Sequence, residues 1–337
     1  MKAPPVDDQM MADPQTGLIF ARVLNGRGGA TALGWEAARH WMPHDPQETL
    51  WMHVDRSVDC VDDWLQSELG LSEATAEALT ADETRPRAFR EGDALVAVLR
   101  GINFNPNAEP EDMVSLRMWA RGNRVLTLRR RPLQSPREIA AMLDRGNGPK
   151  RTGDLVTEII EHLVTKIGST IVDMNEKIDE LEDGPGDYDT DDVLTIIATI
   201  RRNCLALKRH MSPQHEALLQ ISRDPPEWLN ENNSRDIRET IDRLKRYLED
   251  LDVSKESALV LQDDINNRAA NMANHRVYLL TIAAGIFLPL SFVTALLGVN
   301  LGGIPGMNDP NGFWILTGIL CAMTALQLII FRILKWI

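Results

Sequence analysis

The hydrophobic pattern changes character twice along the chain. Between about residues 15 and 150, short apolar runs alternate with helix signals. Leu18–Leu24 and Leu50–Val54 read as strands, and Asn25–Gly29 is a turn after the first. Leu95–Leu99, Val114–Trp119 and Arg124–Leu128 read as further strands. Asp59 or Ser57 can cap a helix through Leu69, Ser72 another through Leu79, and Ser135-Pro136 opens one through Leu143. Strands interleaved with helices predict an α/β unit.

From Thr152 the period becomes helical. One helix is expected over Asp154–Asp183, broken at Gly184-Pro185-Gly186, and a second over Asp189–Ile221, ending before Pro225-Pro226. A third begins near Ser234, and no breaker follows it. Ile237, Ile241, Leu244, Leu248 and Leu251 repeat at four and three residues, the spacing of a coiled-coil seam. Carried on to Gly298 this helix has about 65 residues, which suggests a stalk whose apolar stripe is buried by copies of itself.

The last sixty or so residues differ again. Val277–Gly298 holds 22 residues without a charge, and Phe313–Phe331 holds 19. A bilayer core of about 30 Å needs about 20 apolar helical residues, so both read as membrane spans. The linker Val299–Gly312 has no Lys or Arg and one carboxylate, Asp309. Arg268 and Arg276 precede the first span, and Arg332 and Lys335 follow the second. Positive-inside bias then puts both termini in the cytoplasm. The polar start of the chain reads as a disordered leader, not a signal peptide.

Composition refines this picture. The mean hydropathy of −0.21 is that of a soluble protein and conceals the apolar end. Across 337 residues the net charge is −13, which argues against a nucleic-acid partner. Cys60, Cys204 and Cys321 are scattered, which is neither a disulfide framework nor a thiolate zinc site. The turn at Gly26–Gly29 lacks the spacing of a phosphate-binding loop. No nucleophile–base pair stands out, so an enzyme is the weakest reading.

On a helical wheel, Val277, Thr281, Ala284, Leu288, Ser291 and Ala295 share one stripe of the first span. Leu279, Ile282, Ile286, Phe287, Val293 and Leu297 lie opposite. A small, partly hydroxylated face has two readings, close helix packing or the lining of a pore. Two spans cannot enclose a water-filled path, so a pore needs an oligomer with this stripe on its axis. Pro289 lacks an amide hydrogen and frees the Gly285 carbonyl.

Just beyond comes Gly298-Val299-Asn300-Leu301-Gly302-Gly303-Ile304-Pro305-Gly306. This segment resembles the signature of the CorA superfamily of divalent-cation transporters, Gly-Met-Asn at the outer end of the first of two C-terminal spans. Val299 in place of Met, followed by Leu-Gly-Gly-Ile-Pro-Gly, is similar to the zinc-transporter (ZntB) branch. Phe287-Leu288-Pro289, Trp51–Asp55, Glu83–Arg87, Leu128–Leu133 and Lys335-Trp336-Ile337 extend the likeness over nearly the whole chain.

The resemblance implies an α+β membrane protein: a cytoplasmic αβα domain, a long helical stalk and two transmembrane helices, assembled as a homopentameric funnel. The expected divisions are a leader (1–14), the α/β domain (15–150), the stalk region (151–276), the pore-lining span (277–298), a periplasmic loop (299–312), the second span (313–331) and a tail (332–337). Gly298, Val299 and Asn300 would form the selectivity motif, with Asn300 ringing the outer mouth. Asn274 would extend the pore-lining stripe inward. The transported ion would be Zn²⁺, or otherwise Mg²⁺, Co²⁺ or Ni²⁺, with no permanently bound cofactor. Physically the stripe offers no His, Cys or carboxylate ligand, so zinc follows from the motif and not from coordination.

Other features carry competing readings. Asp263 and Asp264, with Glu249, Asp250, Asp252 and Glu256, are a solvated helix face or carboxylate rings that concentrate cations. His275, beside Asn274 at the inner membrane edge, is an interfacial side chain or a proton-coupling group. Arg121, Arg124, Arg129, Arg130 and Arg131 fall within eleven residues and read as a solvated strand face with intersubunit ion pairs, or as a phosphate site. His210 and His215 do not have the spacing of a helical metal pair. A membrane-anchored structural or sensing oligomer that moves nothing is the alternative to transport.

Overall fold

The computed structural model describes residues 12–82, 85–183, 190–299 and 309–336. In chain order the elements are β1 (Leu18–Leu24), β2 (Ala30–Leu33), α1 (Trp35–Arg39), β3 (Thr49–Asp55), α2 (Cys60–Ser67), α3 (Glu73–Thr80), β4 (Arg87–Glu91) and β5 (Ala94–Gly101). They continue with β6 (Val114–Arg121), β7 (Arg124–Arg129), α4 (Gln134–Asp144), α5 (Thr152–Asp183), α6 (Thr190–Arg223), α7 (Glu231–Leu297) and α8 (Gly312–Ile333). The expected break at Gly184-Pro185-Gly186 lies outside the described residues. Two compact units result, one reaching Leu261 and one from Gln262.

The first unit holds a seven-stranded sheet in the order β2-β1-β3-β7-β6-β5-β4. Every pairing is antiparallel except β3 with β7. Helices α1, α2 and α3 cover one face, where Met52, Val54, Val61, Trp64, Leu65, Leu79, Val96 and Trp119 form a core. Helices α4, α5 and α6 pack on the other side, and Gly101 of β5 leaves room for Leu133 and Leu163 there. Covered on both faces, β5 reads as an unbroken apolar run instead of an alternation. The αβα layering matches the expectation.

Several local signals act as expected. Ser72 Oγ accepts from the Thr75 amide at 3.2 Å and starts α3. Asp59 sits at the N-cap position of α2, but its side chain makes no capping bond, and α2 stops at Ser67 instead of Leu69. Edge strands β2 and β4 and the single turn α1 gave no readable pattern. Thr31 and Ala32 are exposed on β2, and β4 reads Arg-Ala-Phe-Arg-Glu, a polar edge.

The stalk stripe has a different partner from the one its period suggested. Ile237, Ile241, Leu244 and Leu251 are buried within a single chain, and Leu248 is half-buried. Polar bonds on either side fix α7 against α5 and α6. Asn233 donates to Asp154 at 2.9 Å, Arg243 to Glu161 at 3.3 Å and Thr165 at 3.1 Å, and Lys208 to Asp252 at 2.6 Å. Tyr247 lies so close to Gly168 that a Cβ there would strike its ring. The stripe is therefore not exposed on one chain and supplies no intermolecular seam. A heptad-like repeat reports that a face is buried; it does not say by which helix.

His53 is a neutral core histidine. Its Nδ1 and the Trp51 Nε1–H both meet Thr127 Oγ1 at 2.8 Å. Burial, then the nearby Arg129, holds its pKa well below the imidazole range. His162 is the opposite case. It bridges Glu138 at 3.3 Å and Glu158 at 3.1 Å, and Lys166 joins Glu138 at 2.7 Å. The hydrogen bonds to Glu138 and Glu158 raise the His162 pKa to about 9.

Two expectations follow. Leu244→Ala should destabilise the first unit by about 2–5 kcal/mol through the cavity it leaves. Light scattering should find its assembly mass unchanged; a drop to one chain would restore the seam. For His162, a raised folded pKa means its contribution is complete below about 6.5 and lost as pH climbs to about 9. The paired Glu138 has a lowered pKa, so its contribution fades as pH falls through and below the ordinary 4.5. The melting-temperature deficit of His162→Ala should therefore peak near pH 6 and shrink above pH 9. A pH-independent deficit would remove the ion pairs from the account.

Candidate functional site: the apolar helix pair

Within the second unit, α7 continues to Leu297 without a break at Pro289, and α8 follows from Gly312. Both contain windows apolar enough to cross a membrane, with mean hydropathies of 2.2 and 2.1 and none of either window buried. Isolated in water these faces would be untenable. The two helices meet along one stripe each. On α8, Leu316, Thr317, Leu320, Met323, Thr324 and Gln327 are half-buried and Phe331 is buried. On α7, Ile282, Ala283, Gly285, Ile286, Leu290 and Val293 are half-buried. A Cβ on Gly285 would lie 3.0 Å from Phe331 Cζ, so glycine lets that ring sit against the α7 backbone.

The stripe singled out from the sequence is the face α8 leaves uncovered. Val277, Thr281, Ala284, Leu288, Ser291 and Ala295 are all exposed, as is Asn274 one turn earlier. Of the face read as its opposite, Ile282, Ile286 and Val293 are half-buried, while Leu279, Phe287 and Leu297 stay exposed. Thr281 Oγ1 donates to the Val277 carbonyl at 2.8 Å. With its proton spent on the helix, that oxygen keeps its lone pairs for a cation or for water.

The remaining candidates are dispersed. Gly298 donates its amide to the Thr294 carbonyl at 2.9 Å as α7 ends, and Val299 is exposed. Asn300 lies outside the described residues. Asp309 Oδ1 accepts the Asn311 amide at 2.8 Å, and its carbonyl accepts the Gly312 amide, which shapes the entry to α8. His275 stacks on Tyr278 with ring centroids 6.5 Å apart. Asp264 is held by Arg268 at 2.6 Å, whereas Asp263 is exposed. Asp252 and Glu249 pair with Lys208 and Lys245, so those carboxylates are partly neutralised. Among the described residues, no three His, Cys, Asp or Glu side chains converge as a metal site.

Two features escaped the sequence reading. Gln327 places an amide inside α8, and its Oε1 is buried among the described residues without a hydrogen bond. A lone polar residue in an apolar span was the available signal. The second is Phe331, whose role depends on Gly285 forty-six positions away.

Against this geometry stands a family match: CorA-like Mg²⁺ transporter proteins correspond to residues 46–333. The chain belongs to the CorA family. It is 37% identical over 325 residues to the divalent cation transporter CmaX of Pseudomonas aeruginosa, covering 96% of this chain and 98% of that one. It is 34% identical over 306 residues to the zinc transport protein ZntB of Pectobacterium atrosepticum, covering 89% and 90%. The solved structure of full-length CmaX superposes with a TM-score of 0.83 at 37% identity, over 97% of this chain and all of that one. This CorA-family chain is thus a membrane transporter of divalent cations, with an N-terminal αβα unit, a long helix and two C-terminal apolar helices.

Proposed function

We propose that this protein carries Zn²⁺ across the bacterial inner membrane through the axis of a homopentamer, with both termini in the cytoplasm. The observation that supports it most is the uncovered face of α7: Thr281 and Ser291 alternate there with Ala284 and Ala295, opposite the face packed on α8. One chain offers only a strip; several copies facing inward would make a narrow wall of neutral oxygens and small side chains. Such a wall suits a cation that keeps most of its water. Zinc as cargo rests on the Gly-Val-Asn motif and on the ZntB relatives, one of them 34% identical.

Asn300 would ring the outer mouth together with Gly298 and Val299. Its carbonyl oxygen would accept hydrogen bonds from the water of an approaching ion, and the oriented dipoles would favour a divalent charge without holding it tightly. Asp309 in the same loop would draw cations toward the mouth. Asp263 and Asp264 would do the same on the cytoplasmic side, and His275 would exchange a proton as metal moves. Because one relative is named only for divalent cations, Mg²⁺, Co²⁺ and Ni²⁺ are the competing cargoes.

Radiotracer zinc uptake by liposomes holding the purified protein tests this directly. Asn300→Ala should largely abolish flux while the oligomer stays assembled, and Asn300→Asp should keep cation entry with weaker discrimination. Wild-type flux through correctly assembled Asn300→Ala would overturn the pore-mouth assignment. In the same assay His275→Ala should retain metal flux and lose its response to a pH gradient. An unchanged response would remove His275 from the mechanism.

A further inference from the structure

A cavity of about 310 Å³ lies in the first unit between the sheet and helices α1 and α2. Strand register puts its floor on one sheet face: Leu50 lies opposite Arg124, Met52 opposite Leu126, and Leu126 opposite Trp119 on β6. Trp64 of α2 supplies the helix side of the wall. Helix α1 is a single turn with one buried residue, Ala38, and a methyl group there leaves the space open. The exposed side chains His40 and Glu68 mark the mouth.

Cores ordinarily pack with few voids larger than a water molecule. This one is about twice the ~150 Å³ that admits a benzene ring in an apolar core. Leu50, Met52, Trp64, Trp119 and Leu126 offer mostly aromatic and aliphatic surface, whereas a water needs two to four polar partners. The walls therefore suit a planar apolar ring better than solvent.

Charge at the rim is unequal. Arg39 grips Glu68 through Nε at 2.8 Å and through Nη2, so that pair is neutral. Arg124 donates Nη2 to the Trp41 carbonyl at 2.7 Å, which fixes the guanidinium without neutralising it. Among the described residues Arg124 makes no ion pair. Glu48, just before β3, spends its carboxylate on the His44 amide at 2.9 Å. Asp55 belongs to the opposite end of β3, about 17 Å along the strand from Leu50. Arg124 is also the member of the arginine run that reaches this cavity, since Arg130 pairs with Asp82 at 3.0 Å and Arg129 is buried.

We propose that this cavity binds a small aromatic carboxylate of about two fused rings. The ring lies between Trp64 and the sheet, and the carboxylate meets the Arg124 guanidinium, whose planar fork matches two oxygens at once.

Isothermal titration of the full-length protein in lipid nanodiscs with sodium 2-naphthoate, in buffer free of divalent metal, tests this. One naphthoate per chain is expected after the heat from empty nanodiscs is subtracted. 2-Naphthalenemethanol, similar in shape but uncharged, should bind at least about tenfold more weakly. Arg124→Met should remove that preference, and Ala38→Leu, which extends a side chain into the cavity, should abolish binding of both compounds. Arg145→Ala, an exposed arginine elsewhere, should change nothing. Absence of saturable heat, equal affinity for the alcohol, or a preference for the acid that survives Arg124→Met would overturn the assignment. The first two of these outcomes use the native chain, so they decide the matter even where a substitution disturbs folding.

Discussion

The structure depends on α7 being one continuous helix of 67 residues. Each amide beyond the first turn is satisfied inside the helix, so the same backbone can serve where water is present and where it is not. What changes along it is the side-chain environment. Up to Leu261 its apolar stripe is buried by the same chain, from Ile237 through Ala258. Beyond Gln262 no residue of α7 is buried, although the segment becomes more apolar. A helix whose hydrophobicity rises as its burial falls requires a solvent other than water. Lipid and neighbouring copies are the two that a transporter of this family has.

That division explains why α8 matters despite covering so little. Its stripe from Leu316 to Phe331 touches one side of α7 only. At Gly285 the Phe331 ring reaches the α7 backbone, close to the carbonyl that Pro289 leaves without its helical donor. By occupying that side, α8 determines which face of α7 is left over. The uncovered surface carries the small and hydroxylated residues of the stripe together with bulky ones, among them Phe287, Leu288 and Phe292. Thr281, Ala284, Ser291 and Ala295 are thus left for lipid or for a neighbouring copy. Small residues on the uncovered side do not serve the α7–α8 contact.

Much of this was legible in the sequence because the signals were local and strongly periodic. The strands from Leu18, Leu50, Leu95, Val114 and Arg124, the Ser72 cap and the two spans all report on their own neighbourhoods. What failed involved partners distant in sequence. The period of Ile237 to Leu251 gave a buried face but could not distinguish a second copy from α5 and α6. Strand β4 is polar because it lies at the sheet edge, a position set by β5. The arginine run at 121–131 suggested one surface, and folding sent its members to different environments. Gln327 was visible as an exception in its span, yet its unsatisfied oxygen has meaning only beside α7.

The chemistry of the helix pair also bears on the difference between binding a metal and passing it on. A tight zinc site closes four ligands of nitrogen, sulfur or carboxylate around a dehydrated ion. No such convergence exists among the described residues, and the carboxylates nearest that description, Asp252 and Asp264, are engaged by Lys208 and Arg268. A side chain such as Thr281, its proton committed to the Val277 carbonyl, offers lone pairs and no net charge. In the proposed pore its interaction with a hydrated divalent ion would be weak at each level and would be repeated along the helix at Ser291. Conduction needs affinity high enough to admit the ion and low enough to release it. Neutral oxygens such as these would meet both demands in the proposed pore, whereas a strong site anywhere along the same path would halt the ion there.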